Sequence, residues 1–479
     1  MQVRTNAAVS MIDRPKEAPL LNISVIGLGK VGLALATCLA NAGHRIIGVD
    51  LHEPHVKAVN DRSVVCNEPG LRDRLDDCKT DHLRATTSAE EAVLASDLSF
   101  VIVPTPSNTL GGFSVRFVVD AVEKIGTALQ KKNSRHVVAL VSTVLPGASE
   151  HIIIPKLEEC SGREIGQTLG YCYNPSFIAL GDVVQGIERP DYVLIGESDT
   201  NSGDLVLSAH ASMIPQDTAV ARMNVIEAEI TKLASNTHET MRVSFANMLC
   251  ALCSEIPGAN VDRVTEALAY RMGKRFFRGA VPYGGPCWPR DNEALAVFMD
   301  AAGVPSRMPR NVDLFNEEHG RFILKHILAI TPPDTKIGIL GLAYKPGTSV
   351  IDVSYGVKLA QWLAAERRQV IAWDPLAMDE AAKVTKDQIA FATDGNDCLE
   401  KADTIVIVNP MPELSALHWE LVHDKTIVDC WRCLPATIVK HLGRYVMLGS
   451  GPTTISRKAW LARRLGQQLN LLCSYGPQY

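Results

Sequence analysis

From Asn22 to about Leu207, short apolar runs recur at Ile23–Ile26, Ile46–Val49, Leu98–Val103, Val137–Val141 and Tyr192–Ile195, with segments of helical character between them. Runs of this length alternating with helices predict a parallel sheet wrapped on both faces. Asn224 to Ile256 reads differently: no Gly or Pro occurs until Pro257, and the apolar positions fall at helical spacing. This predicts one long helix. A second βα series opens at Lys336–Gly341 and returns at Gln369–Trp373, Thr404–Val408 and Thr426–Asp429. The pattern therefore predicts an α/β chain with a polar, flexible leader over 1–20, a doubly wound domain over 21–209, a helical central domain over 210–325 and a second doubly wound domain over 326–479.

Composition narrows the functional classes. The 479 residues allow more than one core, and 46% hydrophobic with 21% charged residues is ordinary for a globular chain. Lys and Arg number 48 against 53 Asp and Glu, a net charge of -5, so no basic field would hold nucleic acid. A phosphate-bearing ligand would need a local site. The apolar stretch 22–43 is interrupted by Lys30 and by Gly27, Gly29, Gly32 and Gly43, which predicts a folded βα unit and no membrane span. Arg4, Asp13, Arg14, Lys16 and Glu17 leave no apolar region for a signal peptide. Twelve cysteines at irregular spacing fit reduced thiols and a cytoplasmic setting.

Gly27, Gly29 and Gly32 follow the first β-branched run and open a helix. In a Rossmann-like unit such glycines make the tight turn, admit a pyrophosphate to the backbone and let helix pack on strand, while the helix N-terminus faces the phosphates. Asp50 ends the next run, where a carboxylate accepts from both ribose hydroxyls and repels a 2′-phosphate. NAD is thus favoured, although His52 and Lys57 nearby leave NADP open.

Tyr283–Asp291, YGGPCWPRD, places Cys287 in a turn bounded by Pro286 and Pro289, where a thiol can be presented to a pocket. Arg278 and Arg290 lie near in sequence and could favour the thiolate. Buried packing is the ordinary fate of a cysteine, and the Gly and Pro enclosure shifts the balance. Two CxxC pairs, Cys250/Cys253 and Cys430/Cys433, raise a zinc site, but the first lies amid apolar residues of the long helix and no metal is expected.

The chain resembles the UDP-glucose/GDP-mannose dehydrogenase family, the nucleotide-sugar 6-dehydrogenases. The resemblance rests on GLGKVGL at 27–33, NEPGL at 67–71, VPTP at 103–106, STVLPG at 142–147, YNPSF at 173–177, AEITKLASN at 228–236, RMGKRFFRGAVPYGGPCWPRD at 271–291 and GLAYKPGT at 341–348. It implies oxidation of a sugar C6 alcohol to a carboxylate with two NAD, through an aldehyde and a cysteine thioester. Cys287 would be the nucleophile, Lys232 and Asn236 oxyanion donors one helical turn apart, Asp291 a water or proton carrier and Thr143 a water-orienting hydroxyl. The cofactor would meet Gly27, Gly29, Lys30, Val31, Gly32, Asp50, Thr105, Ser142 and Thr143. The sugar nucleotide, a UDP-hexose by this resemblance, would meet Arg271, Phe276, Phe277, Arg278 and Gly284, with Lys345 and Arg432 near its phosphates. A homodimer is expected.

The resemblance breaks at defined places. The family usually carries Glu where this chain has Ser176 and another where it has Leu180. An Arg and a Glu of its third-domain motif are replaced by Asp352 and Val353, and Lys30 stands where an aromatic is common. Loss of a general base typically costs about 10²–10⁴-fold in rate. Three outcomes follow: Asp291 serves as base with Thr143 and Lys232, the aldehyde is released, or the thioester passes to another acceptor. A catalytically silent nucleotide-binding protein is the reading from a different class, opposed by the intact Cys287, Lys232, Asn236 and Asp291 set.

Overall fold

The computed structural model describes residues 9–10, 19–65 and 68–465. They separate into two compact units, Met1–Ser235 with Glu293–Ser306, and Asn236–Asn292 with Arg307–Tyr479. The stretch expected as a central domain is divided between them. Of the expected leader, residues 1–8 and 11–18 lie outside the described residues, while Val9–Ser10 forms a short strand.

The first unit is built on nine strands: β1 (Val9–Ser10), β2 (Asn22–Ile26), β3 (Arg45–Val49), β4 (Leu83–Thr86), β5 (Leu98–Val101), β6 (His136–Leu140), β7 (Leu169–Tyr173), β8 (Tyr192–Glu197) and β9 (Ala219–Met223). Their order is β1-β9-β8-β7-β6-β5-β2-β3-β4. β2 to β7 pair in parallel, and the order reverses at β2, between β3 and β5. Such a switch point opens a crevice at the carboxyl ends of the strands. β5, β6 and β7 are buried at every position, and β5 and β6 fall in the apolar runs read at Leu98–Val103 and Val137–Val141. The expected all-parallel arrangement fails at β8, which runs antiparallel to β7. Strand direction is set by the connection, here the 174–191 segment with the short helix Val183–Glu188, and no apolar pattern encodes it.

The second unit carries six parallel strands: β10 (Lys336–Leu340), β11 (Gln369–Trp373), β12 (Ala390–Phe391), β13 (Thr404–Ile407), β14 (Thr426–Asp429) and β15 (Arg444–Met447). The order β12-β11-β10-β13-β14-β15 again reverses beside the first strand, the doubly wound topology expected from sequence.

The long helix spans Val225–Glu255. Asn224 Oδ1 accepts from Glu227 N at 2.9 Å and Glu227 Oε2 accepts from Asn224 N at 3.2 Å, a reciprocal box that fixes the start. Pro257 and Gly258, at φ +74°, follow its end. Cys250 and Cys253 are buried in the hydrophobic core of the second unit, as is Cys430. Burial pushes the Cys250 thiol up to about 12. Among the described residues no group of three His, Cys, Asp or Glu is placed to hold a metal, and no helix is long and apolar enough to cross a membrane.

Under the first sheet lies a polar cluster. Ser24 Oγ meets Ser99 Oγ at 2.6 Å, and the ring nitrogens of His136 face Ser99 Oγ at 2.8 Å and the Ser96 carbonyl at 3.1 Å. Complete burial pushes the imidazole down from 6.5 to about 3. A depressed histidine keeps its contribution above the unfolded value and loses it as pH falls, so stability should decline from pH 6.5 downward. Thermal melts across pH 4 to 8 should show this decline, and His136→Asn should flatten it; an unchanged slope in the variant would assign the acid sensitivity elsewhere.

Candidate active site

The glycine turn has a separate reason for each glycine. Gly27 lies at φ +97°, and a Cβ there would stand 2.1 Å from the Ile102 carbonyl oxygen. A Cβ on Gly32 would stand 1.9 Å from the Gly27 carbonyl oxygen, so helix Lys30–Asn41 sits on the strand only without a side chain. Gly29 is the N-cap, and a Cβ there would meet nothing within 4 Å. Its freedom therefore serves an approach from outside, as a pyrophosphate requires. No side chain caps this helix and no acidic residue occupies its first turn, so its positive end suits an anion. Lys30 is exposed and Val31 half-buried beside the turn.

Asp50 holds this turn as well as facing outward. Its carboxylate accepts from Leu28 N and His52 N, each at 3.0 Å, while the residue stays half-buried. The equivalent carboxylate of the second sheet is Asp374, which follows β11. It is buried and accepts from four backbone N–H groups, those of Leu342, Ala343, Leu376 and Ala377, at 2.8 to 3.0 Å. A carboxylate so filled has no acceptor sites left for ribose hydroxyls. The dinucleotide fit thus belongs to the first unit.

The two loops beside the turn are tied together. Ser142 Oγ accepts from Val103 N at 2.9 Å and donates to Val103 O at 2.6 Å, and Thr105 Oγ1 donates to Thr143 O at 2.8 Å. Ser142 and Thr105 are buried, whereas Thr143 is half-exposed. Two carboxylates without a role in the sequence reading complete the framework. Glu229, fully buried on the long helix, accepts from Gly147 N at 2.6 Å and Ser149 N at 3.1 Å. Burial raises its pKa, and those donors counter the rise. Glu68 accepts from Gly181 N through both oxygens, at 3.0 and 2.8 Å, and so holds the segment bearing Ser176 and Leu180. In that segment Lys232 Nζ donates to the Ser176 carbonyl at 2.8 Å and lies 4.6 Å from the Phe177 ring centre. Leu180 packs against the hydrophobic core.

In the second unit, Cys287 is exposed immediately before helix Trp288–Ala301, and its carbonyl accepts from Asp291 N at 2.8 Å. It therefore stands at the helix N-cap, where the macrodipole stabilises negative charge. Asp291 is fully buried, bonded by Asn236 Nδ2 at 2.6 Å and by Arg290 Nε at 3.2 Å. Cys287, Asp291 and Asn236 are thus brought together.

The loop leading to Cys287 is staked along its length. Asn247 Oδ1 accepts from Ala280 N at 2.8 Å, and His319 Nε2 meets Ala280 O at 2.7 Å. Asn316 bonds both backbone groups of Tyr283, at 3.0 and 2.8 Å. Gly285 N donates to Asp352 O at 2.8 Å, and a Cβ on Gly284 would stand 2.3 Å from Val353 O. The two departures at 352 and 353 thus meet the reactive loop through their backbone carbonyls, with Val353 at φ +49°, an uncommon value for a β-branched residue.

The expected substrate residues divide. Arg271 and Arg278 are exposed, and Arg278 Nη2 donates to Trp431 O at 2.6 Å. Phe276, partly exposed, packs edge-on to Trp288 at 5.2 Å between ring centres. Phe277 is instead buried and stacked on Phe245 at 5.9 Å, so it serves packing and forms no open wall. Lys345 is half-buried in the loop after β10. Arg432 corrects the expectation of a phosphate contact. Its Nε and Nη2 bond Asp262 at 2.8 and 2.9 Å, and its remaining donors reach the carbonyls of Gly279, Cys430 and Leu448. All five guanidinium donors are taken.

Three sequence models of one family match in order: the NAD binding domain of the UDP-glucose/GDP-mannose dehydrogenase family at residues 21–214, its central domain at 226–318 and its UDP binding domain at 338–436. The UDP-glucose 6-dehydrogenase AglM of Haloferax volcanii is 29% identical, aligned over 85% of this chain and 96% of its own. GDP-mannose 6-dehydrogenase of Azotobacter vinelandii is 30% identical over 87% and 97%. The solved structure of a UDP-glucose dehydrogenase from Pyrobaculum islandicum superposes with a TM-score of 0.81 at 28% identity, covering 91% of this chain and 99% of that one. With its glycine turn, its exposed N-cap cysteine and these matches across both α/β units, the chain belongs to the UDP-glucose/GDP-mannose dehydrogenase family of NAD-dependent nucleotide-sugar oxidoreductases.

Proposed function

We propose that the chain oxidises the C6 hydroxyl of UDP-glucose to the carboxylate of UDP-glucuronate through covalent chemistry at Cys287. The observation that carries this reading is Cys287 at a helix N-cap, one turn before a buried Asp291 that Asn236 holds. The Gly27–Gly32 turn would hold NAD, and two NAD bound in turn would each accept one hydride, one for each oxidation. The C6 aldehyde left by the first is trapped by the Cys287 thiolate as a thiohemiacetal, and loss of hydride from that adduct gives a thioester. Water then adds to the thioester carbon, the C–S bond breaks and the acid leaves with the thiol restored. The second amide hydrogen of Asn236 is suited to the oxyanion, and Asp291 to the proton. Thr143 and the Lys232 ammonium are suited to orienting water. Phe245, Met248 and Leu252, exposed along one stripe of the long helix, support a homodimer. The solved UDP-glucose dehydrogenase that superposes on this chain and the 29% identical UDP-glucose 6-dehydrogenase support UDP, and the GDP-mannose 6-dehydrogenases among the relatives make GDP the alternative to test.

A specific observation favours a second reading. Lys232 meets a backbone carbonyl at Ser176, and Leu180 is given over to packing, so the two positions where the family carries carboxylates supply no base. On this reading the aldehyde is released or the thioester is passed on. A panel of UDP, GDP and dTDP hexoses with NAD separates the two, with NADH yield and product mass read together. UDP-glucose should give two NADH and the acid; one NADH with a hydroxylamine-trappable product would establish the second reading.

Two variants sharpen the test. Cys287→Ser should lower acid formation by at least about 10³-fold, and full activity would refute nucleophilic catalysis. Ser176→Glu should speed thioester turnover by up to about 10²-fold where hydrolysis limits, measured by single-turnover release of acid. A slower variant would mean that the pocket is organised around another step.

A further inference from the structure

Helix Arg307–Ile330 presents three polar side chains, three residues apart, to the span around Cys287. Two of them, Asn316 and His319, hold the backbone of Tyr283 and Ala280. The third is Asp313, one turn before Asn316, a carboxylate with no place in the chemistry proposed for this chain. A single oxygen of it, Oδ1, accepts from the Tyr283 hydroxyl and from Asn292 Nδ2, the latter at 2.8 Å.

Tyr283 and Asn292 are the two ends of the span that holds Cys287 and Asp291, and both are buried. Asn292 follows Asp291 directly, and its Oδ1 accepts from Thr237 Oγ1 at 2.8 Å, beside the Asn236 that bonds Asp291. Within the span Asp291 N donates to Cys287 O at 2.8 Å, which starts the helix with Cys287 at its N-cap. One carboxylate oxygen therefore closes the chain from 283 to 292 into a ring that carries the thiol. Hydrogen bonds to an ionised acceptor are the stronger kind, and here both donors are shielded from water. Burial first and the Asp313 charge second push the Tyr283 phenol well up, so it remains a donor.

We propose that Asp313 is a positioning residue: by closing the 283–292 span at both ends it sets where the Cys287 thiol stands for attack on the C6 aldehyde. The inference rests on the proposed covalent oxidation and names a group that acts on it through Tyr283 and Asn292 without touching substrate. Attack needs the sulfur within about 3–3.5 Å of the carbonyl carbon and aligned with it, and misplacement by about 1 Å costs about 10²-fold. Nucleotide and cofactor are met by other groups, so the loss falls on kcat. For a bystander, charge predicts the opposite sign: a negative charge disfavours a nearby thiolate, and its removal alone makes the thiol more reactive.

The test takes the nucleotide sugar that wild type oxidises and compares Asp313→Ala, Asp313→Asn, Tyr283→Phe and the double variant Tyr283→Phe with Asp313→Ala. Asp313→Ala should lower kcat about 10²-fold while KM for the nucleotide sugar and for NAD stays within about threefold. Asp313→Asn keeps an oxygen able to accept both bonds and should recover about tenfold of that loss. Because both ends meet at one oxygen, adding Tyr283→Phe to Asp313→Ala should cost less than about threefold more. Alkylation of Cys287 by iodoacetamide without substrate, read on its peptide by mass spectrometry, should slow about two- to fivefold in Asp313→Ala as the thiol leaves the helix N-cap. A raised KM with unchanged kcat, Asp313→Asn no better than Asp313→Ala, losses that multiply in the double variant, or alkylation unchanged or faster would overturn the proposal. Where Asp313→Ala fails to fold, Tyr283→Phe carries the test, since it keeps the ring that packs on Trp288 at 5.7 Å. It should lower kcat about tenfold at unchanged KM, and a wild-type kcat would overturn the proposal. Wild type that oxidises no nucleotide sugar, or full activity in Cys287→Ser, removes the covalent reading instead, and the alkylation comparison still decides the positioning.

Discussion

Buried side chains of the long helix that satisfy backbone groups of the neighbouring loops are the constraint on which the site depends. Glu229 takes two N–H groups of the Thr143 loop, and Asn247 takes the N–H of Ala280 ahead of Cys287. Asn236 bonds the carboxylate of Asp291. Loops of this kind carry backbone polar groups that no sheet or helix pairs, and shielding them without partners would cost about 1–3 kcal/mol each. By supplying those partners within each unit, its part of the helix converts loops of that unit into fixed supports for reactive groups.

The two sheets share an architecture and divide the labour by one carboxylate. Gly32 against Gly27 in the first and Gly356 against Gly341 in the second bring helix onto strand equally closely, with Cβ positions 1.9 and 2.2 Å from the facing carbonyl oxygens. In the first, the strand and helix are joined by the short glycine turn and Asp50 keeps acceptor capacity. In the second, a longer loop through Lys345 and Val353 intervenes, and Asp374 spends its oxygens on four N–H groups of its own unit. The longer loop supports the Cys287 segment through Asp352 and Val353, so the region that could have formed a second dinucleotide turn is committed to the reactive loop.

Much of this was legible in the chain. The β2, β3, β6 and β10 runs and the long helix were marked by apolar pattern and by Gly and Pro punctuation, and the glycine turn by its strand and helix context. β4 was missed because its four residues alternate with polar positions, and β7 because Gly170 and Cys172 interrupt its apolar character. Glu229, Glu68 and Asp374 were invisible as structural groups, since a charged residue in sequence reads as surface until its donors are seen. Arg432 was misread for the same reason in reverse: its sequence context resembles a phosphate site, and only the five acceptors around it reveal a structural tie.

The departures concentrate where water would be activated, while the groups suited to trapping an aldehyde are intact. Ser176 offers only its carbonyl to Lys232 and half-buried Leu180 packs against the core, while Asp291 is the buried carboxylate one turn from Cys287. The account therefore stands or falls on covalent chemistry at that thiol. The most direct measurement is peptide mass spectrometry of enzyme quenched in acid during turnover with NAD and UDP-glucose. A nucleotide-sugar adduct should appear on the Cys287 peptide; acid formed with two NADH while that peptide stays unmodified at every quench time would contradict the account.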